Sequence, residues 1–191
     1  MPLLNKDGRI VEDRWIAVSE AEALGRPGDL IVPQALWQAE RPRLTARAAR
    51  LGLRLTNEQS PAVLADDLGR FALIALEFPK FTDGRAYSQA RLLRERYRFQ
   101  GELRAVGQVL SDQLAFMLRC GFDAFEVTDE RALQGWRRAV EAFSAWYQPA
   151  GDAATPIPAQ RLQRRPLRTR RAASPPATAP APDSCAGHWA Y

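Results

Sequence analysis

The sequence predicts an α/β domain of repeated strand-helix units with a parallel sheet, followed by a disordered C-terminal tail. Three observations predict it. Between Leu51 and Tyr147 the hydrophobic period changes several times in one order: a short apolar run, a polar loop, then a helical pattern. One run, Ala72 to Phe78, is almost continuously apolar, as a central strand covered on both faces requires. From Gly151 the composition turns to Pro, Ala, Ser, Thr and Arg, a mix that cannot bury enough apolar area to offset chain entropy.

The first 50 residues read as an N-terminal extension packed on the core. Asp7-Gly8 is a turn signal, Trp15 to Val18 and Leu30 to Val32 suit short strands, and Ala46 to Leu51 suits the end of a helix. Residues 51–149 form the βα-repeat domain. Its first strand, Leu53 to Leu55, leads through Thr56 and Asn57 to a helix opened by Ser60 and Pro61, a cap followed by proline, with Val63, Leu64, Leu68 and Phe71 on its apolar side. The second strand ends at Pro79. After the loop Lys80 to Arg85, Ala86, Ala90, Leu93 and Tyr97 make one helical stripe, with Arg91, Arg94 and Arg96 mostly outside it, and Gly101 permits the reversal.

The third strand, Leu103 to Val106, is followed by Gly107 and a helix centred on Leu110, Leu114, Met117 and Leu118 that stops at Gly121. The fourth is Phe122 to Val127. Thr128 or Asp129 then caps a last helix whose Leu133, Trp136, Val140, Phe143 and Tyr147 form the clearest stripe in the chain. Strands alternating with helices imply parallel pairing through right-handed crossovers, and both an open layered sheet and a half-barrel satisfy that rule. Residues 150–191 are the Arg/Pro-rich tail.

No run approaches the roughly 18 apolar residues of a membrane span, and the N-terminus alternates charge with single apolar residues instead of building a signal-peptide core. A cytoplasmic location is expected. The net charge of +5 sits mainly in the tail, which holds six Arg and two Asp, whereas residues 1–149 are nearly balanced. No aromatic residues interleave those arginines to stack bases, so nucleic acid is not the expected partner. Cys120 and Cys185 are the only cysteines and His188 the only histidine, the last two in the tail. The folded region therefore offers no disulfide framework, cluster ligands, His-ligated haem or zinc, or His-dependent triad. It also lacks a Gly-x-Gly-x-x-Gly fingerprint, and no cofactor or metal is expected.

In parallel α/β sheets ligands bind at the carboxyl ends of the strands. The loop after the second strand gathers Glu77, Lys80, Asp83 and Arg85 before a helix, where the two cations and the free N–H groups suit a small anion or a charged partner. The competing reading has Asp83 capping the helix, Gly84 supplying a turn and the charges pairing with each other. Asp112 and Gln113 after the third strand can join Glu77 at the same end, or simply begin a helix. Asn57, Glu58 and Asp129 occupy equivalent strand ends with a structural role at least as natural. Cys120 suits a small buried apolar position better than a reactive thiol, because the C-terminal end of a helix disfavours a thiolate.

The segments Phe78-Pro-Lys-Phe-Thr-Asp-Gly-Arg-Ala-Tyr-Ser-Gln-Ala-Arg-Leu-Leu-Arg94, Gly101-Glu-Leu-Arg-Ala-Val-Gly107, Asp112-Gln113 and Arg119-Cys-Gly-Phe-Asp-Ala-Phe-Glu126, in that order, resemble a bacterial family of uncharacterised proteins encoded beside sirohaem sulfite reductase. Members are often labelled putative oxidoreductases of sulfite reduction. The resemblance runs from about Arg9 to Tyr147. It implies a role in assimilatory sulfate or sulfite reduction, with the sulfite reductase haemoprotein as partner, and its motif residues include Lys80, Asp83, Arg85, Tyr87, Arg104, Asp112, Gln113 and Cys120. Six-electron reduction of sulfite needs sirohaem and a cluster that this chain cannot ligate. The function expected is therefore an accessory protein that docks to the reductase and assists electron delivery, assembly or stability. The alternative is a small-anion-binding enzyme of sulfur metabolism using the strand-end loop 77–85, and a third reading is a nucleic-acid binder acting through the tail.

Overall fold

Consecutive strands lie side by side through most of the sheet. A computed structural model describes residues 2–127, 134–138, 146–150 and 156–164. Its strands are β1 (Leu3–Asn5), β2 (Ile10–Val11), β3 (Trp15–Ala17), β4 (Asp29–Pro33), β5 (Leu51–Leu55), β6 (Phe71–Phe78), β7 (Glu102–Gly107) and β8 (Ala124–Glu126). They form one sheet ordered β2-β1-β8-β7-β6-β5-β4-β3. From β3 to β8 every neighbouring pair is parallel, while β1 joins β8 and β2 antiparallel.

Parallel strands in sequential order, each reached by a right-handed crossover, put all connecting helices on one face. The sheet curls into a half-barrel, which decides between the two architectures the strand-helix alternation allowed. The helices are α1 (Gln34–Ala39), α2 (Arg41–Thr45), α3 (Arg85–Arg91), α4 (Leu114–Cys120) and α5 (Ile157–Arg164). None among the described residues is long and apolar enough to cross a membrane.

Strand parity separates the two faces. Leu30 and Val32 of β4, Leu53 and Leu55 of β5, Ile74, Leu76 and Phe78 of β6, and Leu103 and Ala105 of β7 point under the helices into the main core. There they meet Trp37, Ala86, Ala90, Leu93, Leu114 and Met117. Ile31, Leu73, Ala75 and Val106 form a second, smaller cluster on the helix-free face, flanked by Trp15. Burial on both faces is why β6 reads as an unbroken apolar run.

Several boundaries differ from the sequence expectation. The Ser60-Pro61 start is real, with Ser60 Oγ accepting from Ala62 N, but it opens only a 3₁₀ turn, Pro61–Leu64, followed by a second, Leu68–Arg70. Phe71, read as the last apolar position of that helix, instead begins β6. The helix read as ending across Ala46 to Leu51 lies earlier, as α1 and α2. Arg47 draws residues 46–50 out of helical form by donating to the carbonyls of Leu24, Arg26 and Gly28, and Leu51 belongs to β5. Leu110 precedes its helix, which begins at Leu114.

The α3 stripe is as read, with Ala86, Ala90 and Leu93 fully buried, and the helix widens into a π turn over Leu92–Arg96. Gly121 closes α4 at φ 101. Trp136, within a helical stretch at 134–138, is buried against Phe125. The cap at Thr128 or Asp129, the stripe positions Leu133, Val140 and Phe143, and residues 165–191 of the tail lie outside the described residues. Within the stretch read from composition as unstructured, α5 is helical, and Ile157 N donates to Trp146 O.

Candidate functional site

The loops that follow β6 and β7 are locked to one another. Gly107 has φ 95, and a Cβ there would stand 2.5 Å from Phe78 O, so the two strand ends meet at a distance only glycine allows. Gln108 N donates to that same Phe78 oxygen at 2.8 Å. Farther out, Phe81 N donates to Gln108 Oε1 at 3.2 Å, and Phe81 O accepts from Gln113 Nε2 at 3.0 Å. The backbone of Phe81 is thus held from both sides, yet the residue is 53% exposed.

Two more apolar side chains stand out on the neighbouring loop and helix. Leu110 lies in the loop after β7, and Phe116 on α4 is 55% exposed. The Phe116 ring packs edge-on against Tyr87 at 4.9 Å, and Tyr87 in turn against the buried Phe78 at 5.1 Å. An aromatic column therefore runs from the core to the surface. Burial, together with the negative charge available at Cys120 and Asp112, pushes the Tyr87 hydroxyl up to about 12, so it stays protonated. Burial likewise pushes the Cys120 thiol up to about 11, against the pull of Arg91 and Arg119, which fits its buried apolar role.

The charges of the loop pair mostly with each other. Arg85 donates through Nε and Nη2 to the Asp83 carboxylate, Arg85 N donates to the same group, and Asn57 Nδ2 adds a further bond. The Arg85 side chain, followed by its backbone N–H, holds the Asp83 carboxyl down at about 2. Glu58 stands 3.7 Å from Arg85. Lys80 and Asp112 are exposed, and their side chains make no hydrogen bond or ion pair among the described residues. Gln113 uses its amide N–H on Phe81 and leaves its Oε1 buried without a partner.

The remaining sequence candidates face the other way. Glu77 and Arg104 sit at helix-free positions of β6 and β7. Glu77 Oε1 forms an ion pair with Arg54 Nη2 of β5 at 3.1 Å. Arg104 is 1% exposed and spans Asp13 and Glu102, at 2.8 and 2.9 Å. Beside it stands Glu126 of β8, whose carboxyl is raised by burial, against the attraction of Arg104.

Arg54, Asp13, Glu102 and Glu126 were not singled out from the sequence. For Arg54, Glu102 and Glu126 the signal is charge at a single parity of each strand: Arg54 in LGLRL, Glu77 in ALIALEF, Glu102 and Arg104 in ELRAV, Glu126 in DAFEV; Asp13 lies outside the strands. The register places Arg54 and Arg104 level with Ala75, and Glu77 one layer nearer the carboxyl ends. The seven candidates therefore divide into two groups. Lys80, Asp83, Arg85, Asp112 and Gln113 surround the Phe81 surface, while Glu77 and Arg104 belong to a charge lattice inside the half-barrel.

Among the described residues no cluster of three or more His, Cys, Asp or Glu stands ready for a metal ion. No curated protein and no solved structure matches the chain. A family model does match, over residues 52–158, a span that takes in both the interlocked loops and the four charged strands. The chain accordingly belongs to the bacterial protein family of unknown function DUF934.

Proposed function

We propose that this protein is an accessory factor of assimilatory sulfite reduction that docks to the sirohaem sulfite reductase haemoprotein through the Phe81 surface. The observation that carries the docking is the restraint of Phe81, whose backbone is bonded on both sides while its ring faces solvent. An exposed aromatic whose backbone entropy is already spent is the kind of anchor around which interface energy concentrates. Phe116 and Leu110 extend the apolar area, and Lys80 and Asp112 supply a polar rim without internal partners. The choice of partner rests on the sequence resemblance, carried by residues that build this same surface. Help with electron delivery, assembly or stability of the reductase follows from such a contact and needs no redox group on this chain.

Growth of a strain lacking the gene, and any second copy of it, tests the reading. On sulfate or sulfite as sole sulfur source growth is expected to fail, and on sulfide or cysteine to be normal. The wild-type gene restores growth, as does a chain truncated at Pro149, whereas Phe81→Asp does not. Normal growth on all four sources removes the sulfite assignment.

A further inference from the structure

The helix-free face carries a second site, independent of the docking surface. At the carboxyl ends of β3, β4, β5 and β6 lies a cleft of about 390 Å³, within the roughly 300–1,000 Å³ typical of small-molecule sites. Ala17, Ile31 and Pro33 give it apolar walls, Ser19 stands at its margin, and Arg54 and Glu77 project into it side by side. This is the end of a parallel sheet at which ligands are expected to bind. We propose that the cleft binds a small zwitterion, of the class of free α-amino acids, with its carboxylate on Arg54 and its ammonium on Glu77.

Charge balance selects the ligand. Arg54 and Glu77 are 3.1 Å apart and only partly buried, at 44% and 27% exposure, and a pair of this kind is held together by only about 0–1 kcal/mol. Opening it is cheap for a ligand that satisfies both halves. A simple anion gains Arg54 but meets the Glu77 carboxylate, and a simple cation meets the reverse. A molecule with both charges a few ångströms apart pairs with each, and its side chain fills the apolar remainder. The buried Arg104 offers no competing anion site, because Asp13 and Glu102 already occupy its guanidinium.

The test uses the full chain and each of the twenty free amino acids in turn, at about 10 mM, read by the rise in thermal midpoint that binding confers. At least one amino acid is expected to raise the midpoint, and its N-acetyl and carboxamide derivatives are expected to lose the effect. Arg54→Gln and Glu77→Gln each abolish it. Ala17→Phe, which fills the cleft without touching either charge, does so too. The proposal is overturned if no free amino acid shifts the midpoint, if the N-acetyl derivative binds as well as the free form, or if the effect survives all three variants.

Discussion

Arg94, in the π turn that follows α3, reaches across to Asp123 just before β8 and closes a staple among three elements. Its Nη2 bonds the Asp123 carboxylate, its Nη1 donates to the carbonyls of Phe99 and Gly101, and its Nε to that of Gly121. Asp123 also accepts from Leu103 N at the start of β7. The arginine that helical spacing assigned to the solvent face is therefore turned inward, and of the Arg91, Arg94, Arg96 group it offers no charge to a partner.

Removing this staple leaves three carbonyls and a carboxylate short of a donor. Arg94→Ala is expected to destabilise by about 2–4 kcal/mol, the range for stripping one partner from a part-buried charged network. Arg94→Lys recovers little, since an ammonium cannot serve three directions from a planar fork. Chemical denaturation of the variants measures both.

Gly107→Ala tests the junction of the two loops. With φ at 95 and Phe78 O only 2.5 Å from the added Cβ, the β6 and β7 ends must part, at an expected cost of about 2–3 kcal/mol. The displaced loops would also free Phe81, so the exchange protection of its amide is predicted to fall more than that of residues in β4.

Asp83 makes acid stability readable. Its carboxyl is lowered from 3.8 to about 2 in the folded protein, chiefly by Arg85, so the unfolded chain binds more protons between those values. The stabilising contribution is complete above pH 3.8 and is lost as pH falls toward 2. Asp83→Asn is expected to flatten this part of the stability–pH curve relative to wild type.

Glu126 carries the opposite sign. Burial raises its carboxyl above the ordinary 4.5, so the folded state holds the proton more tightly, and stability drains away as pH rises through the folded value. Glu126→Gln is expected to raise the thermal midpoint at pH 7 to 8 relative to wild type. The difference closes below the ordinary value, where wild type carries an uncharged acid as well.

The strands were legible because their information is local. LGLRL, ALIALEF and ELRAV hold enough apolar residues of β type to mark β5, β6 and β7 unaided, and Ala86, Ala90 and Leu93 fix the buried side of α3. The connections were not. Pro61 to Arg70 shows apolar spacing compatible with a helix, but the segment folds as two 3₁₀ turns, Pro61–Leu64 and Leu68–Arg70, and Phe71 belongs to β6. The charges of the loop 77–85 were legible, as was the pairing of Asp83 with Arg85, whereas the turn of Glu77 toward Arg54 on the other face was not. Asp83 finds Asn57, Phe81 finds Gln108 and Gln113, and Arg94 finds Asp123, each across more than 25 residues of chain. The helix-free lattice was not read from the sequence, although its strand charges share one parity among the apolar residues of each run.

Association of the purified full-length chain with purified sirohaem sulfite reductase haemoprotein from the same organism, followed by sedimentation velocity, tests the central claim most directly. A complex of defined stoichiometry is expected, weakened at least about tenfold by Phe81→Asp, and left intact by Arg54→Gln on the opposite face. Wild-type protein that sediments independently of the haemoprotein at every ratio, or a complex indifferent to Phe81→Asp, would contradict it.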